Sequence, residues 1–218
     1  MASDLPPDCP VCRGPSPAAF GVFDGLGYWR CDTCGARGLN PAHHPSASAE
    51  KAEYDRHENH VGDPGYRRFL SRLTDALRPH LSPGAQGLDY GCGPGPALAA
   101  MLREAGHEMA LYDPFYRPDK SALCNRHDFV TCTEVVEHFH RPAEEFDRLG
   151  GLLRPGGWLA VMTCFQTDDA RFADWHYRKD PTHVVFYRAE TLGHVAATRG
   201  WSCTIPRKDV ALMQVPPP

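Results

Sequence analysis

Three groups of residues in this 218-residue chain have types and spacings that can do chemistry. The first is a pair of Cys-x-x-Cys turns, Cys9-Pro-Val-Cys12 and Cys31-Asp-Thr-Cys34, with 18 residues between them. That spacing lies within the pattern of a structural zinc site. Four thiolates close the coordination shell, so such an ion organises folding and takes no part in catalysis. The second is Leu88-Asp-Tyr-Gly-Cys-Gly-Pro-Gly95, where glycines permit a tight turn and let a ligand approach the backbone without Cβ interference. Asp113 lies 20 residues beyond Gly93, a spacing that suits a carboxylate accepting both hydroxyl hydrogens of a ribose. The third is Glu134-Val-Val-Glu-His138. On a helix, Glu134, Glu137 and His138 would share one face while Val135, Val136 and Phe139 met the core. Two carboxylates on one face repel each other unless a cation, a proton or a donor offsets them. Downstream, Asp180-Pro-Thr-His183 can bring His183 over the same pocket, and two carboxylates with two imidazoles can bind a divalent ion with room left for substrate oxygens.

The elements that must position these groups alternate in α/β style. Phe20–Phe23 and Tyr28–Arg30 flank Asp24-Gly25-Leu26-Gly27, a hairpin that would carry one Cys-x-x-Cys at each end of its span, as in a zinc ribbon. Residues 35–49 are rich in small and turn-forming types and read as a linker, with helical patterning from about residue 50. Asp63-Pro64 is an N-cap followed by Pro at the first helical position, and Tyr66, Phe69, Leu70, Leu73 and Leu77 follow on one face. Strands are predicted at 87–90, 108–113, 128–133 and 158–164, with helices at 96–105, 142–153 and 189–199. Segments 201–205 and 210–215 form an antiparallel pair at the sheet edge. The expected divisions are a ribbon at 1–40, a linker and helical segment at 41–62, an α/β domain at 63–215 and a loose tail at 216–218. The fold class is a doubly wound, mainly parallel sheet covered on both faces, with the ribbon appended.

Composition narrows the function. Charges total 23 − 27 = −4 and the isoelectric point is near 6.3, which argues against nucleic-acid binding by bulk charge. Apolar residues at 42% and charged residues at 23% fit a globular chain and not a disordered one. The longest apolar stretch, near Trp158–Phe165, is far below the roughly 18–20 residues that span a bilayer, so no membrane role is expected. Met1–Pro7 lacks the features of a secretory signal. Nine cysteines, an odd number, fit metal binding in a reducing cytoplasm better than a disulfide framework. Cys92, Cys124, Cys132, Cys164 and Cys203 lack ligand spacing and read mostly as small buried apolar residues.

With strand, turn, helix and acid in order, the segment resembles the class I S-adenosylmethionine (SAM)-dependent methyltransferases, over roughly residues 60–215. Their hallmark turn is similar to Asp89-Tyr-Gly-Cys-Gly-Pro-Gly95, and their ribose-binding acid matches Asp113. The likeness continues through residues 128–138 and Leu153-Arg-Pro-Gly-Gly157. It implies a seven-stranded type of sheet, SAM as cofactor, and Asp89, Tyr90, Gly91, Gly93, Gly95, Asp113, Phe115 and Thr133 around it. No Lys-Ser or Lys-Thr follows the turn, and the glycine spacing with Pro94 and Pro96 fits a dinucleotide site poorly. Only 14 residues separate Asp113 from Asp128, so the helix and strand that normally follow the second strand must be abbreviated. Phe115 and Tyr116 are then candidates to stack on adenine, or are buried aromatics without a ligand role.

The third group resembles the small-RNA terminal ribose 2′-O-methyltransferases and the O-methyltransferases of ubiquinone synthesis, which carry a Glu-x-x-Glu-His run and a later His. The resemblance implies Glu134, Glu137, His138 and His183 as ligands of a second divalent ion that lowers the pKa of a bound hydroxyl. Without a metal, the same run serves packing or substrate hydrogen bonds, and Glu134 or His138 is the general base. Tyr54, His57, Asn59 and Tyr66 are candidates to close over the cofactor, and Trp175-His-Tyr-Arg-Lys179 is either a substrate lid or a surface loop. The leading function is O-methylation of a small hydroxylated acceptor, with no obligate partner evident. The alternatives are an RNA methyltransferase that uses the ribbon or the Arg67/Arg68/Arg72 face, and a non-enzymatic zinc-ribbon adaptor on the same fold.

Overall fold

The computed structural model describes residues 5–56 and 60–217, so His57 and Asn59 lie outside the described residues. Two sheets organise the chain. The smaller begins with β1 (Ala18–Phe23) and β2 (Leu26–Arg30), joined through Asp24 and Gly25. Both turn residues have positive φ, 51° and 79°, the combination that matches the twist of a two-residue hairpin. β3 (Arg37–Leu39) pairs with β2, and β8 (Val185–Phe186) pairs with β3, all antiparallel. The segment expected to be a linker therefore contains a strand and the start of α1 (Ala47–Tyr54), which Ser46 caps. Two features hid β3. One of its two partners, β8, is almost 150 residues away in the sequence, and its first residue, Arg37, is a buried arginine paired with Asp169.

The larger sheet has six strands, in the order β5 (Glu108–Tyr112), β4 (Gln86–Tyr90), β6 (His127–Thr133), β7 (Leu153–Met162), β10 (Val210–Gln214), β9 (Ser202–Arg207). The first four are parallel, β10 runs antiparallel to β7, and β9 antiparallel to β10. The expected terminal pair forms, but β10 lies inside the sheet and only β9 is at its edge. Its Val-Ala-Leu-Met run is fully buried, as a strand covered on both faces requires. As expected from the short interval after Asp113, β5 ends the sheet. A 3₁₀ turn (Lys120–Cys124) replaces a further helix and strand there.

Helices cover both faces. On one, Leu70, Leu73 and Leu77 of α2 (Pro64–Leu77) pack with Leu98 and Leu102 of α3 (Ala97–Glu104) against Phe129, Ala160 and Leu212. On the other, Phe146 and Leu149 of α4 (Pro142–Gly151) and Leu192 and Val195 of α5 (Ala189–Ala197) meet Val130, Cys132 and Val161. This second core runs without interruption into Tyr28, Trp29 and Phe186 of the small sheet. Pro216 is tied down, its carbonyl accepting from Gly156 N at 2.9 Å. Of the five cysteines outside the paired turns, only Cys132 is buried, and Cys124 is exposed. Among the described residues, no helix is long and apolar enough to cross a membrane.

Candidate active site

Each Cys-x-x-Cys forms the same local turn. Cys9 N donates to Gly14 O, and Cys31 N to Ala36 O; Arg13 and Gly35 close the two loops at φ 58° and 78°. The turns face each other, with Cys9 Sγ 3.8 Å from Cys34 Sγ and Cys12 Sγ 3.7 Å from Cys31 Sγ. A disulfide needs about 2.05 Å. Sulfurs bound at about 2.3 Å to one tetrahedral ion lie about 3.8 Å apart, so the four thiols fit Zn²⁺.

A cavity of about 980 Å³ opens above the carboxyl ends of β4, β5 and β6, where ligands bind in open α/β sheets. The glycine turn lines one end. Gly91 has φ 77°, and a Cβ on it would stand 2.4 Å from Val135 Cγ2, so close packing demands glycine there. Gly93 has φ 62° and nothing within 4 Å of where its Cβ would be, leaving its backbone open to an incoming group. Asp113 stands beside it. Its Oδ1 accepts from Phe115 N (2.8 Å) and Tyr116 N (3.0 Å), and its Oδ2 from Gly93 N (3.0 Å). A carboxylate has about four lone-pair positions, so one position, not two, is left for a ribose hydroxyl. The same carboxylate thus shapes the turn, which spacing alone did not indicate.

Tyr90, Phe115 and Thr133 also line the cavity, and Thr133 Oγ1 is buried without a hydrogen-bond partner. Asp89 and Gly95 do not line it. Asp89 is buried under the turn, accepts from Thr131 Oγ1 at 2.8 Å, and burial pushes its carboxyl up to about 6. Gly95 stands at the exit of the turn, its carbonyl accepting from Ala97 N. The open glycine backbone, the remaining Asp113 position and the unpartnered Thr133 hydroxyl together fit a nucleoside-bearing cofactor.

At the other end Glu134–His138, where the sequence allows a helix or a turn, forms no α-helix. Only Val136–His138 make a 3₁₀ turn, and Glu134 sits at φ 52°, a strained conformation for a residue with a Cβ. The strain separates the two carboxylates. Glu134 lines the cavity, whereas Glu137 is fully buried below it. Tyr177 donates its hydroxyl to Glu137 Oε1 and lies 3.1 Å from Glu134 Oε2. Burial, and then the Glu137 charge, push Glu134 up to about 9; burial also raises Glu137. Glu137 Oε2 has no partner. His183 Nδ1 approaches Tyr177 O at 2.7 Å and His138 Nδ1 approaches Thr182 O at 2.9 Å. Since a carbonyl only accepts, each Nδ1 carries a proton, and in the neutral ring the lone pair is then on Nε2.

Ligand atoms of Glu137, His138 and His183 lie within 4.8 Å of one another, and Glu134 is not in that group. Of the four expected ligands, the structure brings Glu137, His138 and His183 together and leaves Glu134 outside that group. An unpartnered carboxylate oxygen beside two imidazole lone pairs fits a divalent cation.

Tyr54 of α1 covers this end, 5.6 Å from the Phe115 ring and 5.2 Å from the His138 ring. Glu50 of the same helix meets His140 Nε2 at 2.7 Å, and both line the cavity. Sequence reasoning missed this pair, because nothing in the spacing of residues 50 and 140 connects them. It also gave Tyr177 no role of its own, although the mixed aromatic and basic run Trp175–Lys179 held that signal. Tyr66 lines the cavity as expected. Arg67 and Arg72, considered for phosphate contact, pair instead with Glu104 and Asp209.

A family model described as a methyltransferase domain matches residues 63–204, well over half of the chain. The chain belongs to that methyltransferase family. Its fold is shared with an O-methyltransferase family protein from Burkholderia thailandensis, at 16% identity and a TM-score of 0.51. That alignment covers 81% of this chain and 66% of the other, so this methyltransferase is the shorter of the two. The magnesium protoporphyrin IX methyltransferase of Synechocystis PCC 6803, solved with bound S-adenosylhomocysteine, aligns at 15% identity and a TM-score of 0.52, covering 77% of this chain and 94% of that one. No curated protein matches the sequence.

Proposed function

We propose that the chain transfers the methyl group of SAM to a hydroxyl of a small acceptor, with a divalent ion at Glu137, His138 and His183 and a structural Zn²⁺ at Cys9, Cys12, Cys31 and Cys34. The observation that carries this reading is that one cavity joins the open glycine turn to the Glu/His cluster. Bound SAM supplies an electrophilic methyl on a sulfonium. Methyl transfer is an in-line displacement, so the chain must align two partners and manage one proton; alignment alone can contribute about 7–11 kcal/mol. Gly91 and Gly93 let the cofactor approach the backbone, Asp113 accepts from its ribose and also holds the turn, and Phe115 and Tyr90 flank the base. Thr133 offers its unpartnered hydroxyl from the end of β6.

The acceptor enters beneath Tyr54. Glu134, outside the ligand cluster yet lining the cavity, takes the acceptor's proton, its Oε2 3.1 Å from the Tyr177 hydroxyl oxygen. A cation in the neighbouring cluster would offset the Glu137 charge and so lower the Glu134 pKa towards the range of a working base. His138 and His183 are held by carbonyls with Nε2 as the ligating atom.

The test is methyl transfer from labelled SAM into a cell extract, separated into small-molecule, RNA and protein fractions. Label in the small-molecule fraction, lost on chelation and restored by a divalent ion, is the expected result. Label confined to RNA or protein would overturn the choice of acceptor.

A further inference from the structure

The segment from Cys164 to Arg188 contributes Tyr177, Asp180 and His183 to the cavity, yet its own regular structure is two 3₁₀ turns (Asp169–Asp174 and His176–Lys179) and the two residues of β8. So little local structure does not fix side chains to the precision that methyl transfer needs. The cysteine-bearing unit supplies what is missing. β3 pairs with β8, Leu39 N donates to Val184 O at 2.9 Å, and Val184 N donates to Glu137 O at 2.9 Å. One hydrogen-bonded path thus runs from the ribbon, past the residue that follows His183, to the Glu137 backbone.

Side chains reinforce it. The fully buried Phe172 ring lies edge-on to Phe20, Tyr28 and Phe186, with centroids 5.1–5.2 Å apart. Arg178, only 4% exposed, donates to Asp24 Oδ2 in the hairpin turn (2.5 Å) and to Tyr28 Oη (3.3 Å). It also donates back to Phe172 O (3.1 Å) and Ala173 O (2.6 Å). The guanidinium therefore clamps the 3₁₀ turn that bears Tyr177 to the tip of the β1–β2 hairpin.

We propose that the four-cysteine ribbon is the positioning scaffold of the acceptor end of the cavity, acting through Arg178 and Phe172 on Tyr177 and His183. Zinc at the cysteines then governs the acceptor end while leaving the glycine-turn end in place. The inference rests on the methyltransferase reading of the cavity, and its test separates the two. The ribbon's inner face is spent on this contact.

The experiment is hydrogen exchange on the full zinc-loaded chain with added magnesium, repeated under the same conditions on Cys9→Ser/Cys31→Ser protein stripped of its zinc and on Arg178→Ala, Arg178→Lys and Asp24→Asn. Asp24→Asn is the variant least able to disturb folding, since Asn tolerates the same positive φ and only the ionic link is lost. Amides 176–184 should exchange at least about 10-fold faster in zinc-stripped protein and in Arg178→Ala. Asp24→Asn should give a smaller rise in the same segment, and Arg178→Lys, which keeps the charge without the fork, an intermediate one. Amides 88–95 and S-adenosylhomocysteine affinity should stay within about twofold, while labelled methyl transfer falls. Unchanged exchange at 176–184, or equal acceleration at 88–95, would overturn the proposal. Failure of the unmodified chain to bind S-adenosylhomocysteine would instead sink the methyltransferase reading and leave the exchange result standing.

Discussion

The two ends of the cavity are built in opposite ways. The cofactor-facing end comes from two short stretches, 90–94 and 112–116, each placed at the tip of a parallel strand and tied together by backbone N–H groups on one carboxylate. The acceptor-facing end is assembled from residues near 50, 134–140 and 176–183, held from behind by strands of a second sheet. A surface made of backbone on a sheet is rigid by construction. One made of side chains from distant segments is only as precise as the contacts that brace it. The first end suits an invariant cofactor, and the second can be rebuilt for a different acceptor without disturbing the first.

That contrast is open to attack from either side. The largest expected effect is at the acceptor end. Glu137→Gln and His183→Ala should each lower methyl transfer by at least about 10²-fold through loss of the ion they hold, with S-adenosylhomocysteine affinity unchanged by calorimetry. Loss of affinity in either variant would erase the distinction between the ends. At the cofactor end, Asp113→Ala should weaken S-adenosylhomocysteine by about 10²-fold, near 2.7 kcal/mol, because it removes both a ribose acceptor and the anchor of Gly93 N.

Asp89 sharpens the comparison through stability. Burial raises its folded pKa to about 6 from 3.8, so its contribution is full below about pH 4 and lost as pH rises through 6. Asp89→Asn keeps an acceptor for Thr131 and escapes that loss. It should be more stable by roughly 3 kcal/mol above pH 6, with the gap closing towards pH 4 in thermal melts. A gap independent of pH would show that the buried carboxylate is not its source. The smallest effect belongs to Arg67→Ala, which breaks an exposed pair with Glu104 and should cost under about 1 kcal/mol. It should leave a gel shift with RNA no weaker at low salt, whereas a weakened shift would revive the RNA-binding face.

The same contrast explains what the sequence disclosed. The glycine turn, Asp113 and the paired cysteines are encoded as local spacing, so they were readable together with the strand–helix alternation and the missing elements after β5. The placement of Glu134 was not legible, because Glu-x-x-Glu-His fits a helix or a turn equally and no residue type announces the positive φ at Glu134. Glu50 with His140 and β3 with β8 are tertiary pairings across 90 residues or more, and their signal lies in folding and not in spacing. The buried Arg37 and Arg178 were invisible for a related reason. Arginine reads as surface until its partners, Asp169 for one and Asp24 with Tyr28 for the other, are known.

The most direct test of the central claim is a crystal structure of the zinc-loaded chain with S-adenosylhomocysteine. The account places the nucleoside against Gly91–Gly93 with a ribose hydroxyl on Asp113, and the sulfur facing the side of the cavity that holds Glu134. A ligand lodged elsewhere, or a cleft that stays filled by the chain's own side chains at saturating ligand, would contradict it.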